Sequence, residues 1–116
     1  MTGPPELTEI SGATLRRRRQ ALVRRLPPLT DLLRGSLIER YKRCGNPDCQ
    51  CATGAGHGPK CYLSISHPHA TPTQDYVPQQ CRDQVTQYLA NYHRAREIFE
   101  QICQINRELL RRRERL

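Results

Sequence analysis

Apolar residues along the chain are sparse, and their spacing changes from segment to segment. Leu15, Leu22, Val23 and Leu26 recur at helical spacing and form one narrow stripe. Ser11 offers an N-cap hydroxyl and Pro27-Pro28 closes the segment, so a helix is expected from about Ser11 to Leu26. Residues 1–9, MTGPPELTE, read as loose. Leu29 to Arg34 reads as a short connection, broken by Gly35.

The pattern then shortens. Ser36 to Arg43, SLIERYKR, mixes β-branched and aromatic residues with charge and predicts a strand. Cys61 to Ser66 has period-two character and predicts a second strand, and Gln74 to Val77 a short third. Cys44 to Pro59 holds four Gly and two Pro and reads as turn-rich, without regular structure. His67 to Thr73, with Pro68 and Pro72, reads as a loop. Three sequential strands with short connections imply an antiparallel meander. Pro78 suits the first turn of a helix, and no Gly or Pro follows it. A helix of up to about 37 residues, roughly 55 Å long, is expected there.

The expected fold class is therefore α+β: an N-terminal helix, a small three-stranded antiparallel sheet with a zinc-clipped loop, and a long C-terminal helix. The segments are a flexible N-terminus (1–10), a basic helix and connector (11–34), a zinc-stabilised sheet (35–78) and the long helix (79–116), together forming one compact unit.

The long helix admits three packings. Written as heptads, Tyr88, Ala95, Ile102, Leu109 and Leu116 occupy d, and Tyr92, Phe99, Asn106 and Arg113 occupy a. Asn at an a position fixes register in two-stranded coiled coils, which makes a homodimer through this helix one expectation. In the second packing the stripe lies on the first helix through Leu15, Leu22 and Leu26, with Cys81, Val85 and Leu89 facing the sheet. The third is docking on another protein.

Length and composition narrow the class. A chain of 116 residues, 36% hydrophobic, supports one domain and little more. Its apolar runs fall far short of the ~20 residues of a membrane span, and no signal-peptide pattern opens it. A soluble, cytoplasmic protein with no membrane partner is expected. So thin a core normally borrows stability from a metal, a disulfide or a partner.

The charge is basic and uneven. Residues 1–43 carry ten Arg or Lys against four acids, and residues 79–116 carry eight Arg against five acids. Between them stand one Lys and two Asp. Arg outnumbers Lys heavily, which codon bias alone could produce, but the clustering points to phosphate. The candidate nucleic-acid contacts are Arg16, Arg17, Arg18, Arg19, Arg24, Arg25, Arg40, Lys42, Arg43, Arg111, Arg112 and Arg113. Tyr41, Tyr62 and Tyr76 can stack on bases if exposed and fill the small core if not.

The middle of the chain carries the metal chemistry. Cys44, Cys49, Cys51, His57 and Cys61 follow the spacing C-x4-C-x-C-x5-H-x3-C. Structural zinc takes four Cys or His ligands in a tetrahedron, and the Gly and Pro of this segment supply the required turns. Such Cys density in an intracellular protein is more often metal-binding than disulfide-bonded. Cys44, Cys49 and Cys51 are the core of the set. His57 is taken as the fourth ligand because it lies in the loop, with Cys61, at a strand start, as its alternative. Cys81 and Cys103 read as packing residues on the long helix.

Leu33 to Cys51, followed by His57-Gly58-Pro59 and Tyr76-Val77-Pro78, resembles a family of small, uncharacterised bacterial Cys-rich proteins. The shared pattern is R-G-S-L, R-C-G-x-P-x-C-x-C, H-G-P, Y-V-P and a long charged helix ending near N-x-E-L-L, here Asn106 to Leu110. Members are often encoded near transposases, and the resemblance implies a nucleic-acid role in a mobile element. The family usually has Tyr where this chain has Cys61, which implies that Cys61 is not the family's ligand and favours His57.

Two functions follow as expectations. One is a small zinc-stabilised nucleic-acid-binding accessory protein of a mobile genetic element, binding DNA or RNA. The other is an adaptor that presents the long helix to a transposase or related enzyme. Catalysis is not expected, because Asp31, Glu39, Asp48 and Asp75 show no paired spacing with His, and a closed Cys3His site has no open position for water.

Overall fold

The computed structural model describes residues 5–42 and 57–116. The architecture is α+β, with an N-terminal helix, a three-stranded antiparallel sheet and a long C-terminal helix. The chain divides into two compact units, Met1–Asp31 with Asn91–Leu116, and Leu32–Ala90.

In the first unit, a short helix α1 (Pro5–Thr8) precedes α2 (Gly12–Arg24). Ser11 caps α2 as its sequence position predicts, its Oγ accepting the Thr14 amide at 3.2 Å. The helix ends at Arg24, just short of the expected Leu26. Residues 5–8, expected to be loose, form a helical turn because Leu7 has a core to enter. That core joins Leu7, Leu15 and Leu22 to Ile98, Ile105 and Leu109, with Ile10, Leu26 and Ile102 packed at its margin. The latter partners lie on α3 (Arg82–Arg111). Arg25 O accepts Arg94 Nη2 at 2.9 Å and Arg16 Nη1 reaches Arg115 O at 3.2 Å, so α2 and α3 run antiparallel.

The packing of α3 on α2 through Leu15, Leu22 and Leu26 is the second of the three anticipated packings. Its stripe differs from the heptad reading at a. Ala95 and Leu109 are buried as expected at d, but the other half of the seam is Asn91, Ile98 and Ile105, one residue before Tyr92, Phe99 and Asn106. Phe99 is 47% exposed, and Val23 of the α2 stripe is likewise exposed. Asn91 sits buried in the seam because its amide donates to Asp31 O at 3.1 Å.

In the second unit, β1 (Ser36–Lys42), β2 (His57–His67) and β3 (Ala70–Val77) form an antiparallel meander in that order. Cys61 and Leu63 of β2, Val77 of β3 and Leu89 of α3 make its core, with Cys81 and Val85 beside them, as the sequence anticipated. Gly35, just before β1, has φ +140°, and a Cβ there would stand 2.7 Å from Ser64 O.

Two strands are longer than expected. β2 starts at His57 and includes Pro59. The β2–β3 ladder stops at Cys61↔Val77, and the β1 register shifts between Arg40 and Lys42, so Pro59 lies where little pairing is demanded of it. β3 starts at Ala70, joined to β2 through Pro68 and His69, the latter at φ 57°. It is an edge strand, so Pro72 is accommodated at the shift between Ile65 and His67. The 3-10 turn Gln79–Cys81 then leads from Pro78 into α3.

Candidate nucleic-acid interface

Alternation along the strands sorts the sheet into two faces. Cys61, Leu63 and Val77 face the helical side. The other face carries Ile38 and Arg40 from β1, Lys60 and Tyr62 from β2, and Tyr76 from β3, placed side by side by the pairs Arg40↔Lys60, Ile38↔Tyr62 and Tyr62↔Tyr76. Arg40, Lys60 and Tyr76 are exposed and Tyr62 is half-buried. The Tyr62 and Tyr76 rings meet edge to face, 5.8 Å between centroids.

Two like charges directly opposite each other on a ladder repel. Arg40 and Lys60 accept that cost on an open face, next to a tyrosine whose ring is accessible. An anion held between the two cations would relieve the repulsion. Lys60 was absent from the sequence-based set, since only the register reveals its partnership with Arg40.

The arginines of α2 divide into two groups. Arg16 and Arg19 turn back on their own unit, Arg19 donating to Asn106 Oδ1 at 2.7 Å and to Leu116 O at 3.2 Å. Arg17 donates to Thr14 Oγ1 at 3.1 Å and remains exposed. Arg18, Arg24 and Arg25 are exposed.

The C-terminal cluster is likewise mixed. Glu108 is buried and takes two hydrogen bonds from Arg111 and a 2.6 Å bond from Arg112 Nε. Those of Arg111 first, then that of Arg112, hold its carboxyl below the usual carboxylate range, and Glu108 in turn raises the Arg112 guanidinium. Arg112 also donates to Leu7 O and Ile10 O, each at 2.6 Å. It serves this unit's structure, whereas Arg113 is exposed. Sequence reasoning missed the buried carboxylate. The spacing of Glu108 to Arg111 and Arg112, three and four residues, was the available signal.

Cys44, Cys49, Cys51 and Arg43 lie outside the described residues, as do the side chains of Lys42 and His57. The backbone places His57 in β2, paired with Lys42, and not in a loop as expected. Lys42 and His57, the described residues on either side of that segment, are thus partners on the ladder. Cys61 is buried in the sheet's core. Among the described residues, no three His, Cys, Asp or Glu side chains gather as a metal site, and no helix is long and apolar enough to cross a membrane.

Comparison with known proteins adds one relationship. The sequence profile of DUF6788, a domain of unknown function, matches residues 13–89. No curated protein and no solved structure matches the chain.

Proposed function

The chain belongs to the DUF6788 family, and from that premise we propose that it is a small nucleic-acid-binding protein whose sheet face meets the phosphate backbone and stacks bases. The observation that carries this reading is the cation pair Arg40↔Lys60 set beside the Tyr62–Tyr76 pair on one open face. Cations supply affinity for phosphate, and an accessible aromatic ring supplies a stacking surface for an unpaired base. Arg17, Arg18, Arg24 and Arg25 add positive charge from α2.

Zinc belongs to the same proposal. Its support is the ligand spacing of Cys44, Cys49, Cys51 and His57, together with the Lys42↔His57 pairing that brings both ends of the intervening segment to one ladder step. The metal would order that segment and take no part in chemistry. The mobile-element setting and the cytoplasmic location rest on the resemblance of the Cys motif and on the sequence reading.

The test is fluorescence anisotropy with single-stranded and duplex DNA and RNA across salt concentrations. Binding should weaken steeply with salt. The double variant Arg40→Gln, Lys60→Gln should flatten the log-log slope by roughly 1.4–1.8 units, two phosphate contacts at about 0.7–0.9 each. Tyr76→Ala should cost about 1–3 kcal/mol on single strands. Unchanged slopes in the double variant would refute the sheet face as the interface. The adaptor reading is favoured by one observation, the exposure of Phe99, Cys103 and Leu110 on a common face of α3. Salt-insensitive capture of a co-encoded enzyme, with no nucleic-acid binding, would replace the first reading with it.

A further inference from the structure

The unit built from Met1–Asp31 and Asn91–Leu116 contains a feature that the sheet face does not explain. A cleft of about 310 Å³ opens between α2 and α3. Leu7, Leu22 and Ile105, all buried, form its apolar floor, beside the exposed Ala21. Arg18 and Arg25 border it from α2, and Gln101 and Gln104 from α3.

The helix period explains the grouping. Arg18, Ala21 and Leu22 of α2 and its C-cap Arg25, still in right-handed helical conformation, are spaced i, i+3, i+4 and i+7 on one face, and the two guanidinium-bearing residues stand about 10.5 Å apart along the helix axis. Two flexible arginine side chains can converge across that distance. No carboxylate lines the cleft among the described residues. A wall of cations, a pair of carboxamides and an apolar floor make three separate demands on a ligand. Inorganic phosphate answers the first alone. A hydrocarbon chain answers the last alone. A nucleotide answers all three, with an anionic phosphate, a polar base edge and flat apolar faces.

We propose that this cleft binds a single nucleoside monophosphate unit, with the phosphate on Arg18 and Arg25, the base against Ala21 and the floor, and its edge on Gln101 and Gln104. Such a unit can be a free nucleotide or one residue of a single strand. The volume lies at the small end of ligand pockets, which suits one nucleotide and no more. All its residues lie in the unit of Met1–Asp31 and Asn91–Leu116, so its variants leave Arg40, Lys60 and the tyrosines of the sheet unchanged.

The experiment is isothermal titration of the full-length chain with AMP, CMP and inorganic phosphate. Both nucleotides should bind, and phosphate alone much more weakly. Arg18→Gln with Arg25→Gln should weaken AMP at least about tenfold, the loss of one charge-assisted hydrogen bond or more. Ala21→Leu should fill the floor and weaken AMP while leaving phosphate unaffected. Ala21 is exposed on a helix, and Leu keeps nearly the helix propensity of Ala, so circular dichroism and melting should be unchanged. Arg40→Gln with Lys60→Gln should not alter AMP binding. A 5′-phosphorylated tetranucleotide that outcompetes AMP would identify the strand as the source, and AMP ahead of it would identify the free nucleotide. Either ordering supports the cleft. Three results would overturn it: no nucleotide binding at millimolar concentration, parental AMP affinity in Ala21→Leu, or loss of AMP binding in the sheet-face variant.

Discussion

Arg112 donates from Nε to Glu108 Oε2 at 2.6 Å, one helical turn back, and joins a buried carboxylate to the chain's N-terminal segment. The same guanidinium donates to Leu7 O, within α1, and to Ile10 O, just after it, next to the core that Leu7 enters. Burying Glu108 is tolerable because its negative charge is met by two arginines and its oxygens are hydrogen-bonded. A residue that composition assigns to a polyanion surface is thus committed within its own unit.

This arrangement makes acid stability depend on Glu108. Its folded pKa is lowered, so the carboxylate's contribution is fully present above the ordinary glutamate value of about 4.3 and is lost as pH falls through the lower folded value. Melting temperature should therefore fall as the solution is acidified below the ordinary glutamate range. Glu108→Gln should melt lower at pH 7 and show a shallower acid decline than the parent. Parallel melting curves from pH 7 to pH 2 would refute the assignment.

The corrected seam of α3 gives a direct comparison of two large apolar residues. Leu109 is fully buried and Phe99 is half exposed. Leu109→Ala should cost about 2–5 kcal/mol. Phe99→Ala should cost under about 1 kcal/mol, although a heptad reading of the sequence would expect the loss of a buried aromatic. Urea titrations of both variants decide it, and equal losses would restore Phe99 to a buried role.

How much of this could be read from the chain depends on which physical rule governed each residue. Ser11 and Pro27-Pro28 act locally, so the limits of α2 were close at hand. Cys81, Val85 and Leu89 share one helical face and were legible as sheet-facing. The α3 seam was misplaced at a because Asn91 looks polar by type, while its Asp31 partner is 60 residues away. Pro59 and Pro72 are turn signals in isolation. Each sits in a strand because the ladder has a shift or an end beside it, which no local pattern reports. The site followed the same division. Arg40 and the tyrosines were visible, but the opposition of Lys60 to Arg40 exists only through register.

The arginine run on α2 should separate into two behaviours. Arg17→Gln with Arg18→Gln removes exposed charge, and stability should stay within about 0.5 kcal/mol of the parent. Arg19→Gln removes the donor to Asn106 Oδ1 and Leu116 O and should cost about 1 kcal/mol. Replacing all four arginines together would mix these effects, so the variants must be measured apart. An Arg19→Gln protein as stable as the parent would show that the contact with the C-terminal end contributes nothing.

The zinc proposal is checked by native mass spectrometry. One zinc per chain is expected, removable by chelator with a fall in melting temperature. Cys49→Ser should lose the metal. Cys61→Ala should keep it and lose stability, because that side chain packs with Leu63, Val77 and Leu89. A metal-free protein with the parental melting curve would end the idea. Loss of zinc in Cys61→Ala with His57→Ala still loaded would exchange the fourth ligand.

The end of α3 offers a test in which stability and binding move in opposite directions. Arg113 follows the last helical turn at φ 57°, a left-handed conformation that L side chains adopt at a cost. Its amide donates to Leu110 O at 2.9 Å and the Glu114 amide to Leu109 O at 3.0 Å, the paired bonds of a Schellman stop. Gly is the preferred residue at this position, since it has no Cβ to strain the turn. Arg113→Gly should therefore raise stability by about 0.5–1 kcal/mol, read by urea titration. The side chain is exposed and engages no described carboxylate, so it remains open to phosphate. If it contacts a duplex, the same variant should flatten the salt slope by about 0.9 while melting higher. A destabilised Arg113→Gly protein would contradict the strained turn, and a stabilised one with an unchanged slope would remove Arg113 from the nucleic-acid interface and leave it a capping residue of the helix.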